Sequence, residues 1–152
     1  MDLFFDSSGL VKRYIAEIGS TWVTNTVDLA SGNTIFIAEI TGVEVTAAIA
    51  RRTRTGHSAS AINAVFNNLE NDLKDEYFGL EVTSAVLLEA RSLARKYFLR
   101  GYDAIQLAVA VVFNRQQTAF GLTTITFVSA DNDLLNAALA EGLLIENPNN
   151  YP

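Results

Sequence analysis

Cysteine is absent from the 152 residues, so the fold can use neither a disulfide nor a thiolate metal site, and a Cys nucleophile is excluded. The only histidine, His57, sits between Gly56 and Ser58 in a stretch that reads as an exposed turn, so a histidine general base is not expected. Long apolar runs are missing as well. Stretches such as Leu107 to Phe113 stop well short of the roughly 18 residues that a membrane helix needs. The N-terminus shows no basic segment and no small-residue cleavage site, so no export signal is read there and a cytoplasmic location is expected. Positive charge is scarce: 11 Lys and Arg against 17 Asp and Glu give a net charge of −6, which argues against indiscriminate binding to nucleic acid. Nine of those 11 basic residues fall in three groups, Lys12 and Arg13, then Arg51, Arg52 and Arg54, then Arg91, Arg95, Lys96 and Arg100, which leaves room for a local basic rim.

What the sequence does have is apolar content, 49% of residues, enough for one compact domain to bury a core without covalent staples. Residues 2–5 read as a buried strand, and the apolar spacing of Leu10, Val11, Tyr14 and Ile15 after Asp6 reads as a helix. Further strands are predicted at 34–38, 78–82, 124–129 and 143–147. Helices are predicted from about Ser20 to Ala30, from a Thr41–Glu44 capping box to Gly56, from Ser58 into the acidic stretch at 70–76, and from an N-cap at Ser84 to Phe98. The segment from Asp103 to Asn114 is apolar nearly all round and predicts a helix buried at the domain centre, and a last short helix follows Asp131. Alternating strands and helices, with no Pro/Gly-rich linker and no repeat, predict an α/β fold: a three-layer α/β/α sandwich on a mainly parallel sheet. The expected organisation is one domain over 1–148 with a tail at 149–152. Tyr14, Trp22, Phe66 and Leu69 read as core, although so apolar a small domain predicts some side chains covered by a partner.

Four carboxylates stand out by position. Asp6, Asp103 and Asp131 each precede a predicted helix, where a carboxylate accepts hydrogen bonds from unpaired backbone N–H groups, and Glu44 has the ordinary account of a capping-box partner to Thr41. Taken singly, none needs a chemical role. Asp6 and Asp131, however, both end predicted parallel strands, the edge at which open α/β sheets build their sites. If Glu44 and Asp103 also point there, four anions meet with no Lys or His spaced to neutralise them, and such a cluster calls for a cation. Oxygen donors without nitrogen or sulfur select Mg²⁺ or Mn²⁺, the usual equipment of phosphoryl chemistry.

Four segments carry a resemblance over essentially the whole chain: FFDSSGLVKRY at 4–14, ITGVEVTAAIARR at 40–52, LRGYDAIQLAVA at 99–110 and FVSADNDLLNAALAEGLLIENP at 127–148. In this order and spacing the chain resembles PIN-domain ribonucleases, particularly the VapC-like toxins of toxin–antitoxin pairs. The resemblance implies a PIN-like fold and Mg²⁺- or Mn²⁺-dependent endonucleolytic cleavage of RNA, with Asp6, Glu44, Asp103 and Asp131 as the acidic metal-binding quartet. It also implies a supporting hydroxyl at Ser8, a homodimer, and an antitoxin whose C-terminal segment occupies a groove on the toxin. Asp133 stands close enough to Asp131 to share metal ligation, although in a first helical turn it also simply favours the dipole. Arg51, Arg95 and Arg100 are the candidates for contact with RNA phosphates, set against an ordinary solvated helix edge. Two other readings fit the same residues: a PIN nuclease of cellular RNA processing without an antitoxin, and a non-catalytic RNA- or protein-binding PIN module.

Overall fold

The computed structural model describes residues 1–152. Its five strands, β1 (Asp2–Phe5), β2 (Thr34–Ala38), β3 (Tyr77–Leu80), β4 (Thr126–Val128) and β5 (Leu144–Glu146), form one all-parallel sheet in the order β3-β2-β1-β4-β5. The chain adds β2 and β3 on one side of β1, then crosses over and adds β4 and β5 on the other. Its direction of growth therefore reverses between β1 and β4, and at such a switch point the connections leave a crevice beyond the strand C-termini.

Period-2 alternation makes the sheet two-sided. Leu3 and Phe5 of β1 and Ile35 and Ile37 of β2 face one layer, formed by α1 (Ser7–Leu10), α2 (Ser20–Val27), α3 (Thr41–Thr53) and α4 (Ala59–Asp75), which contribute Leu10, Val23, Val45, Ile49 and Leu69. Phe4, Ala38 and Phe127 face the other, formed by α5 (Ser84–Tyr97), α6 (Gly101–Ala119) and α7 (Asn132–Ala140), with Leu93, Leu107 and Leu134. The expected three-layer sandwich is thus present. Phe4 and Phe127 stack at 5.5 Å between neighbouring strands, and each fully buried aromatic of this kind contributes about 1.5–3 kcal/mol. The central helix is α6, whose middle, from Ala104 to Val111, is almost wholly buried as its apolar circumference predicts. No helix is long and apolar enough to cross a membrane.

Several local expectations change. The capping box does not form: Ile40 is the N-cap of α3 with no side-chain cap, because the Thr41 hydroxyl is buried and taken by Gln106. Asp103 stands inside the first turn of α6, not before it, since the helix starts at Gly101. Thr83, not Ser84, caps α5 by accepting from the Val86 N–H at 3.2 Å. The helix after Asp6 lasts one turn before tightening into a 3₁₀ turn at Val11–Arg13. The first basic group is spent internally, with buried Lys12 on Glu17 at 3.0 Å and Arg13 on Asp72 and Glu76.

The C-terminal residues pack back on the domain. Asn147 caps a 3₁₀ turn at Pro148–Asn150, and Tyr151 stacks on half-buried Trp22 at 4.9 Å. Gly19 permits this approach: its φ is +87°, and a Cβ there would lie 2.4 Å from the Pro148 carbonyl oxygen. Gly19→Ala should therefore destabilise the protein by about 1–3 kcal/mol through strain and collision. It should also shift the emission of the single tryptophan to the red as Tyr151 leaves it. Unchanged melting and unchanged emission would show that this packing does not hold the tail.

Candidate active site

Asp6 lies at the C-terminal end of β1 and caps α1, its Oδ1 accepting from the Gly9 N–H at 2.8 Å. The Ser8 hydroxyl is 2.9 Å from both carboxylate oxygens, and the Ser129 hydroxyl, just past β4, donates to Oδ2 at 3.0 Å. Ser8 Oγ also accepts from the Ala130 N–H at 2.9 Å, so the loops after β1 and β4 are tied across the switch point. Glycine at position 9 allows the close approach, since a Cβ would stand 3.0 Å from the Val128 carbonyl oxygen. Asp6 is only 3% exposed, and burial raises its pKa from 3.8 to about 7 even though the surrounding donors pull it down.

Asp131 is exposed and caps α7, with Oδ1 accepting from the Asp133 N–H at 2.8 Å and the Leu134 N–H at 3.2 Å. Its ordinary capping role is therefore real, and it occupies one carboxylate oxygen. Asp103 makes no hydrogen bond to protein. Burial, then the nearby negative charge of Asp131, raise its pKa, while Arg100 lowers it. Glu44, freed from capping, accepts from Gln106 Nε2 at 2.5 Å. Burial raises its pKa first, Asp103 adds to that, and Gln106 and the Ser7 hydroxyl oppose it.

These contacts place the four carboxylates in one neighbourhood. Ser129 touches Asp6 and also accepts from the Asp131 N–H at 3.1 Å, while Asp131 acts electrostatically on Asp103, and Asp103 on Glu44. Glu44 in turn stands against Ser7, the residue after Asp6. Two cavities hold three of the four: one of about 400 Å³ has Ser8, Glu44, Arg51 and Tyr102 in its wall, and one of about 640 Å³ is lined by Arg100, Asp103, Asp131 and Asp133. In the side-chain positions seen, no three acidic or imidazole groups converge tightly enough to cage a metal ion among themselves. The arrangement is an open ring of neighbours.

The basic candidates separate. Arg51 and Arg100 line the two cavities and form no ion pair, whereas Arg95 lies with Leu88, Arg91, Ser92 and Lys96 in a different depression on α5. Ser8 spends its hydroxyl inward on Asp6 and Ala130. His57 is exposed and lines a cavity with Tyr14 and Arg52, apart from the carboxylates. Sequence reasoning passed over Ser129 and Gln106 and read Thr41 only as a capping residue. Gln106 is the one polar residue in an otherwise apolar run from Ala104 to Val112, which was its available signal.

No protein-family model matches the sequence, nor does any curated protein. The fold does match solved structures. VapBC2 from Rickettsia felis, bound to a DNA fragment from its promoter, aligns with a TM-score of 0.64 over 97% of this chain and 98% of that one, at 13% identity. A toxin–antitoxin complex from Klebsiella pneumoniae aligns at 0.62 over 96% and 97%, with 16% identity. FitAB bound to an IR36 DNA fragment aligns at 0.62 over 97% and 95%, with 12% identity. The chain has a PIN-like fold. Identities this low carry the PIN-like architecture alone and leave the chemistry to the residues at the switch point.

Because burial holds Asp6 protonated in the folded chain up to about pH 7, while the unfolded chain releases that proton near 3.8, stability should fall as pH rises between those values. At about 1.4 kcal/mol per pH unit, the span from 3.8 to about 7 sets a ceiling of roughly 4 kcal/mol on the loss. Thermal melts in chelator should show this decline, and Asp6→Asn should flatten it. An equal slope in the two proteins would place the proton elsewhere.

Proposed function

We propose that this protein is a Mg²⁺- or Mn²⁺-dependent endoribonuclease whose site is the crevice holding Asp6, Glu44, Asp103 and Asp131. The observation that carries the reading is that Glu44 and Asp103, both partly withdrawn from water, act on one another, that Asp6 is buried one residue from Ser7, which touches Glu44, and that the only cation acting on any of them is Arg100. The donor set fits a hard divalent ion: the side-chain groups are carboxylate and hydroxyl oxygens, with no histidine or thiolate near. An open ring is adequate for Mg²⁺, which keeps several of its waters and needs only one or two carboxylates plus substrate oxygens.

Asp6 and Asp103 would hold the ion directly, Glu44 would hold it or orient the attacking water, and Asp131, with one oxygen committed to α7, would act through water. Bound there, the ion supplies Lewis acidity to the phosphate and to a water molecule, the acid–base capacity that the chain lacks in histidine. Arg51 and Arg100, unpaired at the two cavities, would receive phosphates of the RNA strand on either side of the scissile bond.

The fold it shares with toxin–antitoxin complexes supports the further reading that the nuclease is a toxin silenced by a cognate antitoxin. A PIN nuclease working without such a partner would have the same site, and copurification with the product of an adjacent small gene separates the two. The absence of a ready three-carboxylate cage favours one rival in particular, a non-catalytic RNA-binding module. A calorimetric titration with Mn²⁺ that gives no heat would decide for that rival.

Asp6→Asn and Asp103→Asn should each lower Mn²⁺-dependent cleavage of single-stranded RNA by at least about a hundredfold while leaving the protein folded. Retained cleavage in either variant overturns the assignment. Arg51→Glu and Arg100→Glu should weaken RNA binding and each reduce the slope of log affinity against log salt by about 0.7, whereas Arg95→Glu should leave both unchanged. A loss confined to Arg95→Glu would move the RNA path to α5.

A further inference from the structure

Gln106 is a costly residue for its place. It is 1% exposed, in the middle of the central helix, with Ala104, Leu107, Ala108 and Val109 buried around it. An amide in such surroundings is tolerated only if its polar atoms are bonded, and here they are. Nε2 donates to Thr41 Oγ1 at 2.9 Å and to Glu44 Oε2 at 2.5 Å, and Oε1 accepts from the Thr41 hydroxyl at 3.1 Å. Thr41 is itself 0% exposed, so its hydroxyl has no competing water.

The bonding is directional. A carboxamide can meet an ionised carboxylate only through its NH₂ face, and Thr41 touches both amide atoms, which fixes the plane of the group. Glu44 therefore meets a donor whose orientation is set from α3 and whose position is set by α6. The same helix carries Asp103 one turn earlier, so the spacing between the Glu44 and Asp103 carboxylates is governed by a single rigid element. This arrangement also explains why the expected capping box gives way: both of its members are engaged by Gln106 instead.

We infer that Gln106 is a positioning residue that, held by Thr41, keeps the Glu44 carboxylate turned into the crevice beside Asp103. What Glu44 does there rests on the nuclease reading; where Glu44 points does not. A polar residue kept only to tie the start of α3 to α6 would instead affect stability without affecting the site.

The test uses the full chain with Gln106→Leu, Glu44→Gln and the double variant, each read by crystallography without metal, by Mn²⁺ calorimetry, and by kcat and KM on single-stranded RNA. Gln106→Leu should turn the Glu44 side chain away, weaken Mn²⁺ binding by about tenfold, and lower kcat by about ten- to a hundredfold with KM for RNA unchanged. In the Glu44→Gln background the same change should weaken Mn²⁺ binding no further. If Gln106→Leu does not fold, Thr41→Val, which leaves the amide in place without its guide, should show the same pattern to a smaller extent. The inference is overturned if Glu44 keeps its place in the variant, or if Mn²⁺ affinity and kcat stay within about twofold of the parent. An equal loss of Mn²⁺ affinity with and without Glu44 also overturns it. A parent protein that cleaves no RNA ends the nuclease reading alone, and the crystallographic position of Glu44 then decides the positioning role.

Discussion

Carboxyl groups drawn out of water beside one another repel, and each resists ionisation as its hydration is lost. That penalty is concentrated at the C-terminal ends of β1 and β4, with Asp6 buried behind Ser8 and Ser129, and with Glu44 and Asp103 half-buried and acting on one another nearby. A fold selected for stability alone would place apolar side chains or counter-ions there. The sheet topology creates the crevice, and the side chains after its strands fill that crevice with negative charge that the protein itself leaves largely uncompensated.

Holding such a cluster requires neutral donors, since positive partners would occupy the crevice. Gly9, Ser8 and Ser129 supply them to Asp6, and Gln106, fixed by Thr41, supplies one to Glu44. Each donor sits on a well-packed element: the end of β4, the first turn of α1, or the central helix. Orientation is thus inherited from the core, the condition under which a site keeps its geometry while remaining costly in free energy.

The distribution of positive charge follows the same logic. Lys12 and Arg13 are absorbed into internal ion pairs, and Arg52, Lys96 and Arg115 pair with acidic neighbours on the surface. Of the six that form no ion pair, Arg51 and Arg100 border the carboxylates, while Arg54, Lys74, Arg91 and Arg95 are exposed elsewhere. An acidic protein can therefore present local positive charge at one crevice, where a polyanion approaching the carboxylates would meet it, without a generally basic surface.

Composition and periodicity alone determined the α/β class, the sheet's parallel character, the buried central helix and the placement of Asp6 and Asp131 at strand ends, because these follow from local repeats of two and 3.6 residues and from chain order. Which carboxylates share a crevice was beyond that reach, since Glu44 and Asp103 lie 59 positions apart and meet only where the N-terminal turns of α3 and α6, helices of opposite layers, come together through Thr41, Glu44 and Gln106. Local pattern misled at Thr41 and Glu44, where a capping box is outcompeted by a buried amide 62 residues from Glu44. It was equally silent on which basic groups are spent inside the molecule. Local preference is written along the chain; the partners of a polar side chain are decided by what folding brings beside it.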